Sequence, residues 1–169
     1  VVGTRWLDTN KGDSERPEYR SRLVATEARR PGQDAIFAAM PPIETNKVLM
    51  VLAAARCADA NDVDVGILFV DMKRAYIHAA VKRDIFMRLP AEFAGESRIG
   101  KLKKAMYGSQ DAAASWEVEY TRILQTLGFI AELSSPCLFY HEPRKLSLVI
   151  YGDDETVVGC HCELDWFTD

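Results

Sequence analysis

At 169 residues and 19.0 kDa, the chain suits one domain of ordinary size and can bury a real core. A composition of 48% hydrophobic, 27% charged and 9% aromatic residues, with ten Gly and seven Pro, excludes a disordered, collagen-like or low-complexity chain. A net charge of −4 speaks against a uniformly basic nucleic-acid binder, and no apolar run approaches the ~20 residues that span a bilayer.

The N-terminal Val1-Val2-Gly3-Thr4-Arg5-Trp6 lacks the charged-then-apolar order of a signal peptide. The expectation is therefore an intracellular protein, cytoplasmic or nuclear, without a membrane partner. Gly3 to Asp8 and Tyr19 to Thr26 read as two strands of a hairpin around the turn Asn10-Lys11-Gly12-Asp13. Period two sets Arg20 and Arg22 on one face of the second strand, a small basic surface. After Pro41-Pro42, the alanine-rich apolar pattern of Ile43 to Ala58 predicts a core helix.

A turn over Asn61 to Asp64 leads into Val65-Gly66-Ile67-Leu68-Phe69-Val70, a buried strand that ends abruptly at Asp71. Met72 to Tyr76 fits one helical turn, and Ile85 to Leu89 a short strand stopped by Pro90. Asp111 caps the next helix. There Trp116, Tyr120, Ile123, Leu124 and Leu127 line one face, and Gly128 stops it. Strands over Cys137 to His141 and Leu146 to Tyr151 follow, and after Gly152-Asp153-Asp154 the strand pattern resumes at Glu155 to Gly159. Short strand connections without regular alternation favour an α+β fold with an antiparallel sheet.

Charge is divided along the chain. Residues 72–104 carry nine Lys or Arg against three acids, and 105–169 carry three against eleven. Such a division can hold a polyanion at one place and cations at another. Four cysteines, at 57, 137, 160 and 162, are too few for a disulfide framework and are expected reduced. Cys160-His161-Cys162 has no second half, so it reads as the end of an edge strand with incidental thiols rather than a zinc site.

A carboxylate ending a buried strand is costly unless it is solvated, paired or metal-bound, which singles out Asp71. If its strand neighbours the Asp153-Asp154 turn, three carboxylates converge and can hold two divalent cations through oxygen ligands. Mg²⁺ suits such a site, and a pair of such ions implies nucleotidyl transfer.

The chain resembles the reverse transcriptase (RNA-dependent DNA polymerase) domain of copia-type retrotransposon polyproteins over nearly its whole length. The resemblance rests on six ordered segments: Tyr19 to Ala25; Phe69 to Tyr76; Leu102 to Gly108; the Trp116 helix ending Leu127-Gly128-Phe129; Pro136 to Tyr140; and Tyr151-Gly152-Asp153-Asp154. It implies a right-hand polymerase fingers-palm fragment in which an antiparallel palm sheet packs on helices. About 1–60 and 77–110 would be mostly fingers, and about 61–76 and 111–169 mostly palm, within a single partial domain over 1–169.

The implied function is RNA-directed DNA polymerisation, with dNTP added to a primer 3′-hydroxyl on an RNA or DNA template. The resemblance assigns Asp71, Asp153 and Asp154 to two Mg²⁺ ions, with Mn²⁺ as a substitute. Arg20 and Arg22 fall near the triphosphate, and Tyr76 lies under the sugar as a bar to ribonucleotides. Gly-Asp-Asp also occurs in viral RNA polymerases, which usually carry a carboxylate where Tyr76 stands. Lys101, Lys103 and Lys104 would track template or primer phosphates. Where the family has Gln-Ala-Pro with a substrate-facing amide, this chain has Asp111-Ala112-Ala113, with Gln110 one residue away, and the resemblance places Gln110 and Asp111 at the nucleotide. The chain stops at Asp169 without thumb, primer grip or RNase H region, so a truncated and inactive fragment is one expectation. The alternatives are a non-catalytic nucleic-acid-binding remnant and an unrelated metal-binding α+β domain.

Overall fold

The computed structural model describes residues 1–28, 38–58, 64–93, 98–133 and 135–169. It resolves into two compact units, Val1–Phe37 with Tyr76–Glu119, and Ala38–Ala75 with Tyr120–Asp169. The expected turn at Asn61 to Asp64 lies outside the described residues except for Asp64.

In the first unit, β1 (Gly3–Asn10) and β2 (Tyr19–Thr26) form an antiparallel hairpin in which Thr9 faces Arg20 and Leu7 faces Arg22. Asn10 closes the loop by accepting the backbone N–H groups of Gly12 and Glu18 on its side-chain oxygen, at 3.0 and 2.8 Å. Two three-residue strands, β4 (Phe86–Arg88) and β5 (Ile99–Lys101), pair antiparallel. Val2 bridges to Met87 in parallel, donating to the Phe86 carbonyl and accepting from Arg88 N–H.

The second unit is built on a five-stranded antiparallel sheet. Its strands are β3 (Val65–Asp71), β6 (Ile130–Glu132), β7 (Ser135–His141), β8 (Leu146–Tyr151) and β9 (Asp154–Cys160), in the order β3-β9-β8-β7-β6. Cys160 therefore ends an interior strand. The edge-strand expectation fails because β3 and β8 pair with β9 on either side, and the chain continues from β9 straight into a helix, α3 (His161–Thr168).

Helix α1 (Ile43–Cys57) belongs with this sheet rather than with the hairpin. Its Leu49 and Ala53 pack on Val65, Val149 and Val158. The opposite face buries Phe139, Leu148, Ile150 and Val157 almost completely. Covering it are Tyr120, edge-on to Phe139, from α2 (Ala112–Thr126), and Leu164 of α3, near Gly159. The result is an antiparallel sheet with helices packed on both faces, a mixed α and β architecture. The helical turn expected at Met72 to Tyr76 begins later, as a 3₁₀ turn over Ala75–His78, because Arg74 takes a left-handed φ of 57°.

Candidate active site

The backbone brings Asp71, Asp153 and Asp154 to one end of β3, β9 and β8. Tyr151 pairs with Asp154, so only Gly152 and Asp153 form the connection between β8 and β9. Glycine is required there. The chain turns back through φ 70° at Gly152, the first central position of a two-residue hairpin whose twist matches its strands. On the other side, Asp71 ends β3 directly opposite Asp154, and Met72 N–H donates to the Asp153 carbonyl at 2.8 Å.

Directly opposed residues of an antiparallel pair share a face, so the exposed carboxylates of Asp71 and Asp154 do too. Alternation adds Phe69, 65% exposed, and register adds Tyr151. Helix α1 covers this face only around Val65, Val149 and Val158. What remains is an aromatic and acidic shelf.

Among the described residues, no three His, Cys, Asp or Glu side chains stand close enough to hold a metal ion. The backbone gathers the acids, while their side chains do not close on one point. The donor chemistry nonetheless fits a hard divalent cation. All donors are oxygens, and two are like charges in register, which costs stability until a cation neutralises them. Neighbouring Glu155 turns to the opposite face, between Val70 and Ile150, where it is 6% exposed. Burial there pushes its carboxyl up to about 7.

The first unit holds the other candidate residues, and they fall into two groups. Arg20 and Arg22 are exposed on β2. The Arg22 guanidinium lies 5.9 Å from the ring centre of Tyr107, whose ring centre is 4.5 Å from that of Tyr76. Tyr107 is anchored by its backbone, since its carbonyl accepts Ala25 N–H at 2.8 Å. Gly108 makes that approach possible, because a Cβ there would stand 2.0 Å from the Ala25 carbonyl oxygen. Tyr107 was visible in the sequence only as one position of the Leu102 to Gly108 segment, and nothing in the pattern marked it as the ring between Arg22 and Tyr76.

The second group centres on Arg83. Its Nη2 lies 2.6 Å from Glu27 Oε2 and 3.3 Å from Asp111 Oδ1, with Nε 3.3 Å from Asp111 Oδ2. The hydrogen bond with Glu27, chiefly, holds the guanidinium well above its ordinary pKa, with Asp111 adding to it against a partial cost of burial. Asp111 is 3% exposed, and its carboxylate is engaged by Arg83. Gln110 donates its backbone N–H to Glu27 and its side-chain amide to the Ala28 carbonyl. Neither Arg83 nor Glu27 carries a motif signal, because the partners lie 56 and 28 residues away in the chain. Of the basic residues near β5, Lys101 pairs with Asp84 at 2.6 Å and Lys104 donates to the His78 carbonyl at 2.7 Å. Lys103 is exposed.

Residues 1–164 match the family model described as reverse transcriptase (RNA-dependent DNA polymerase). The chain belongs to the reverse transcriptase family. Among curated relatives, this reverse transcriptase segment is 31% identical over 167 residues to the retrovirus-related Pol polyprotein from transposon RE1 of Arabidopsis thaliana. It is 29% identical over 167 residues to that from transposon RE2 of the same plant. Each alignment covers 94% of this chain and 11% of the relative. The Pol polyprotein from transposon TNT 1-94 of Nicotiana tabacum is 26% identical over 157 residues, covering 88% of this chain and 11% of the relative. The segment thus spans about a tenth of the polyproteins it matches, which are of the copia type. No solved structure matches it. Membership implies the nucleotidyltransferase class. No helix among the described residues is long and apolar enough to cross a membrane.

Proposed function

We propose that this reverse transcriptase domain carries the acidic centre of an RNA-directed DNA polymerase, adding dNTP to a primer 3′-hydroxyl on an RNA or DNA template. The second unit serves as palm and the first as fingers. The observation that carries the reading is the register of Asp71 against Asp154, with Asp153 tied to the same strand end through Met72. Asp71, Asp153 and Asp154 would hold a pair of Mg²⁺ ions, or Mn²⁺ in their place, which would supply Lewis-acid stabilisation to the attacking hydroxyl and the leaving pyrophosphate.

The protein's own share is position and charge, without a covalent link to substrate. The Arg20 and Arg22 forks match triphosphate oxygens. Tyr76, backed by Tyr107, presents a ring that bars a ribose 2′-hydroxyl. Gln110 and Asp111 order the loop beside these residues, and Lys101, Lys103 and Lys104 follow template–primer phosphates. Phe69 and Tyr151 flank the acids with surfaces on which a base or sugar can rest.

Primer extension by the chain in Mg²⁺, on an RNA template, tests the reading. Asp71→Asn and Asp153→Asn should each lower extension by about 10²-fold or more, with circular dichroism unchanged. Extension at the unmodified rate by either folded variant would refute the assignment.

A further inference from the structure

At the far end of β9 from the acidic shelf, the structure sets two thiols against each other. Cys160 Sγ and Cys162 Sγ are 3.1 Å apart, with Cys162 exposed and Cys160 half-buried. Cys160 is the N-cap of α3 and His161 its first helical residue. One helical residue between them places their Cα atoms about 5.4 Å apart. That falls within the ~4.4–6.8 Å over which disulfides form.

The junction is held from β3 as well. His161 N–H donates to the Asp64 carbonyl at 3.0 Å, and the Asp64 carboxylate lies 3.8 Å from Cys160 Sγ. Cys137 is buried, and Cys57 lies at the end of α1, where its thiol donates to the Val65 carbonyl. The 160/162 pair is therefore a preassembled dithiol at the surface.

We propose that Cys160 and Cys162 form a site of reversible thiol–disulfide exchange with low-molecular-weight disulfides of the glutathione type. In the first step the exposed Cys162 thiolate attacks one sulfur of oxidised glutathione, breaking its S–S bond and releasing one glutathione thiolate. Cys160 thiolate then attacks the Cys162 sulfur of the mixed disulfide, forming the Cys160–Cys162 bond and releasing the second glutathione. Two protein sulfurs are oxidised, one glutathione disulfide is reduced, and the two thiol protons pass to the released thiolates. The hydrogen bond with Cys160, and Glu163 close by, keep the Cys162 thiol above its usual pKa, so exchange quickens in mildly alkaline solution.

The test treats the reduced chain with oxidised glutathione, alkylates the remaining thiols, and locates every modification by peptide mass spectrometry. The expected product is a peptide containing both Cys160 and Cys162 that has lost two hydrogens and escapes alkylation. The Cys160→Ser variant should stop at a glutathione adduct on Cys162, at a level about tenfold or more above that in the unmodified sequence. Equal adduct levels in the two proteins would overturn the proposal. So would full alkylation of Cys160 and Cys162 under conditions in which Cys57 has reacted. Neither readout depends on polymerase activity.

Discussion

Asp71 and Asp154 stand directly opposite each other on an exposed face, where like charges in register are destabilising until solvent or a cation screens them. Replacing one of them should therefore stabilise the chain while removing its use. Asp71→Asn is expected to raise stability without divalent ions by a few tenths to about 1 kcal/mol, read from the urea midpoint. Added Mg²⁺ should raise the midpoint of the unmodified chain and leave that of the variant unmoved. A lower midpoint for Asp71→Asn would show that its carboxylate has a structural role instead. Tyr76 makes a second residue-scale prediction. Loss of its ring from against Tyr107 in Tyr76→Ala should let an active domain incorporate ribonucleotides, and continued exclusion would remove the gate. Sequence alone pointed to Asp71 because a carboxylate ending a buried strand is costly unless solvated, paired or metal-bound. In the structure Asp71 is exposed, so solvent meets that cost and its register with Asp154 carries the case instead. The sequence pattern assigned Tyr107 no role, since the contacts with Arg22 and Tyr76 join residues far apart in the chain.

Among the elements, β9 shows how one strand can serve two demands. Its first residue opens onto the acidic shelf, while the next, Glu155, is buried on the opposite face. The native carboxyl pKa of about 7 lies above the ordinary 4.5, so protonation favours the fold. The stabilisation is complete below pH 4.5 and is lost as pH rises through about 7, a swing of about 3 kcal/mol. Urea titrations across this range should show that loss, and Glu155→Gln should flatten it. An unchanged slope in the variant would assign the pH dependence to other groups. In the Arg83 network, Arg83→Ala leaves the buried Asp111 carboxylate without its partner. With Arg83 about a third exposed, the expected cost is about 2 kcal/mol, measurable as a drop in thermal midpoint.

Strong patterns made the existence of α1, α2, β2, β3 and β8 legible, but not the burial of β3 and α1. Strand β3, expected buried, ends the sheet with Phe69 exposed, and of the apolar residues of α1 only Leu49 and Ala53 are buried while Val48 and Val51 are exposed. The strands β5 and β6 have three residues each, too few for alternation to register. Helix α3 starts without a side-chain hydrogen bond at its N-cap and has a single buried anchor, Leu164, so no start signal or stripe announced it.

Over the whole molecule, the chain enters the first unit, crosses to the second, returns and crosses again. Each unit is assembled from two separate stretches of the chain, so no single linker divides the sequence. The antiparallel α+β character was nevertheless legible, because hairpin-length connections join β7, β8 and β9. The basic stretch is tested at this scale by salt. Lys101 and Lys104 already have partners within the first unit, whereas Lys103 is exposed and has no partner among the described residues. Binding to an RNA–DNA hybrid should weaken as salt rises, and Lys103→Ala should reduce the slope of log affinity against log salt by about one. A slope unchanged by the substitution would place the phosphate path elsewhere.

The proposed cation site at Asp71, Asp153 and Asp154 is tested directly on the chain by titrating Mn²⁺ and following the free ion by electron paramagnetic resonance. Saturable binding displaced by Mg²⁺, and lost in Asp71→Asn and Asp153→Asn, is the predicted result. Binding that survives both substitutions would contradict it.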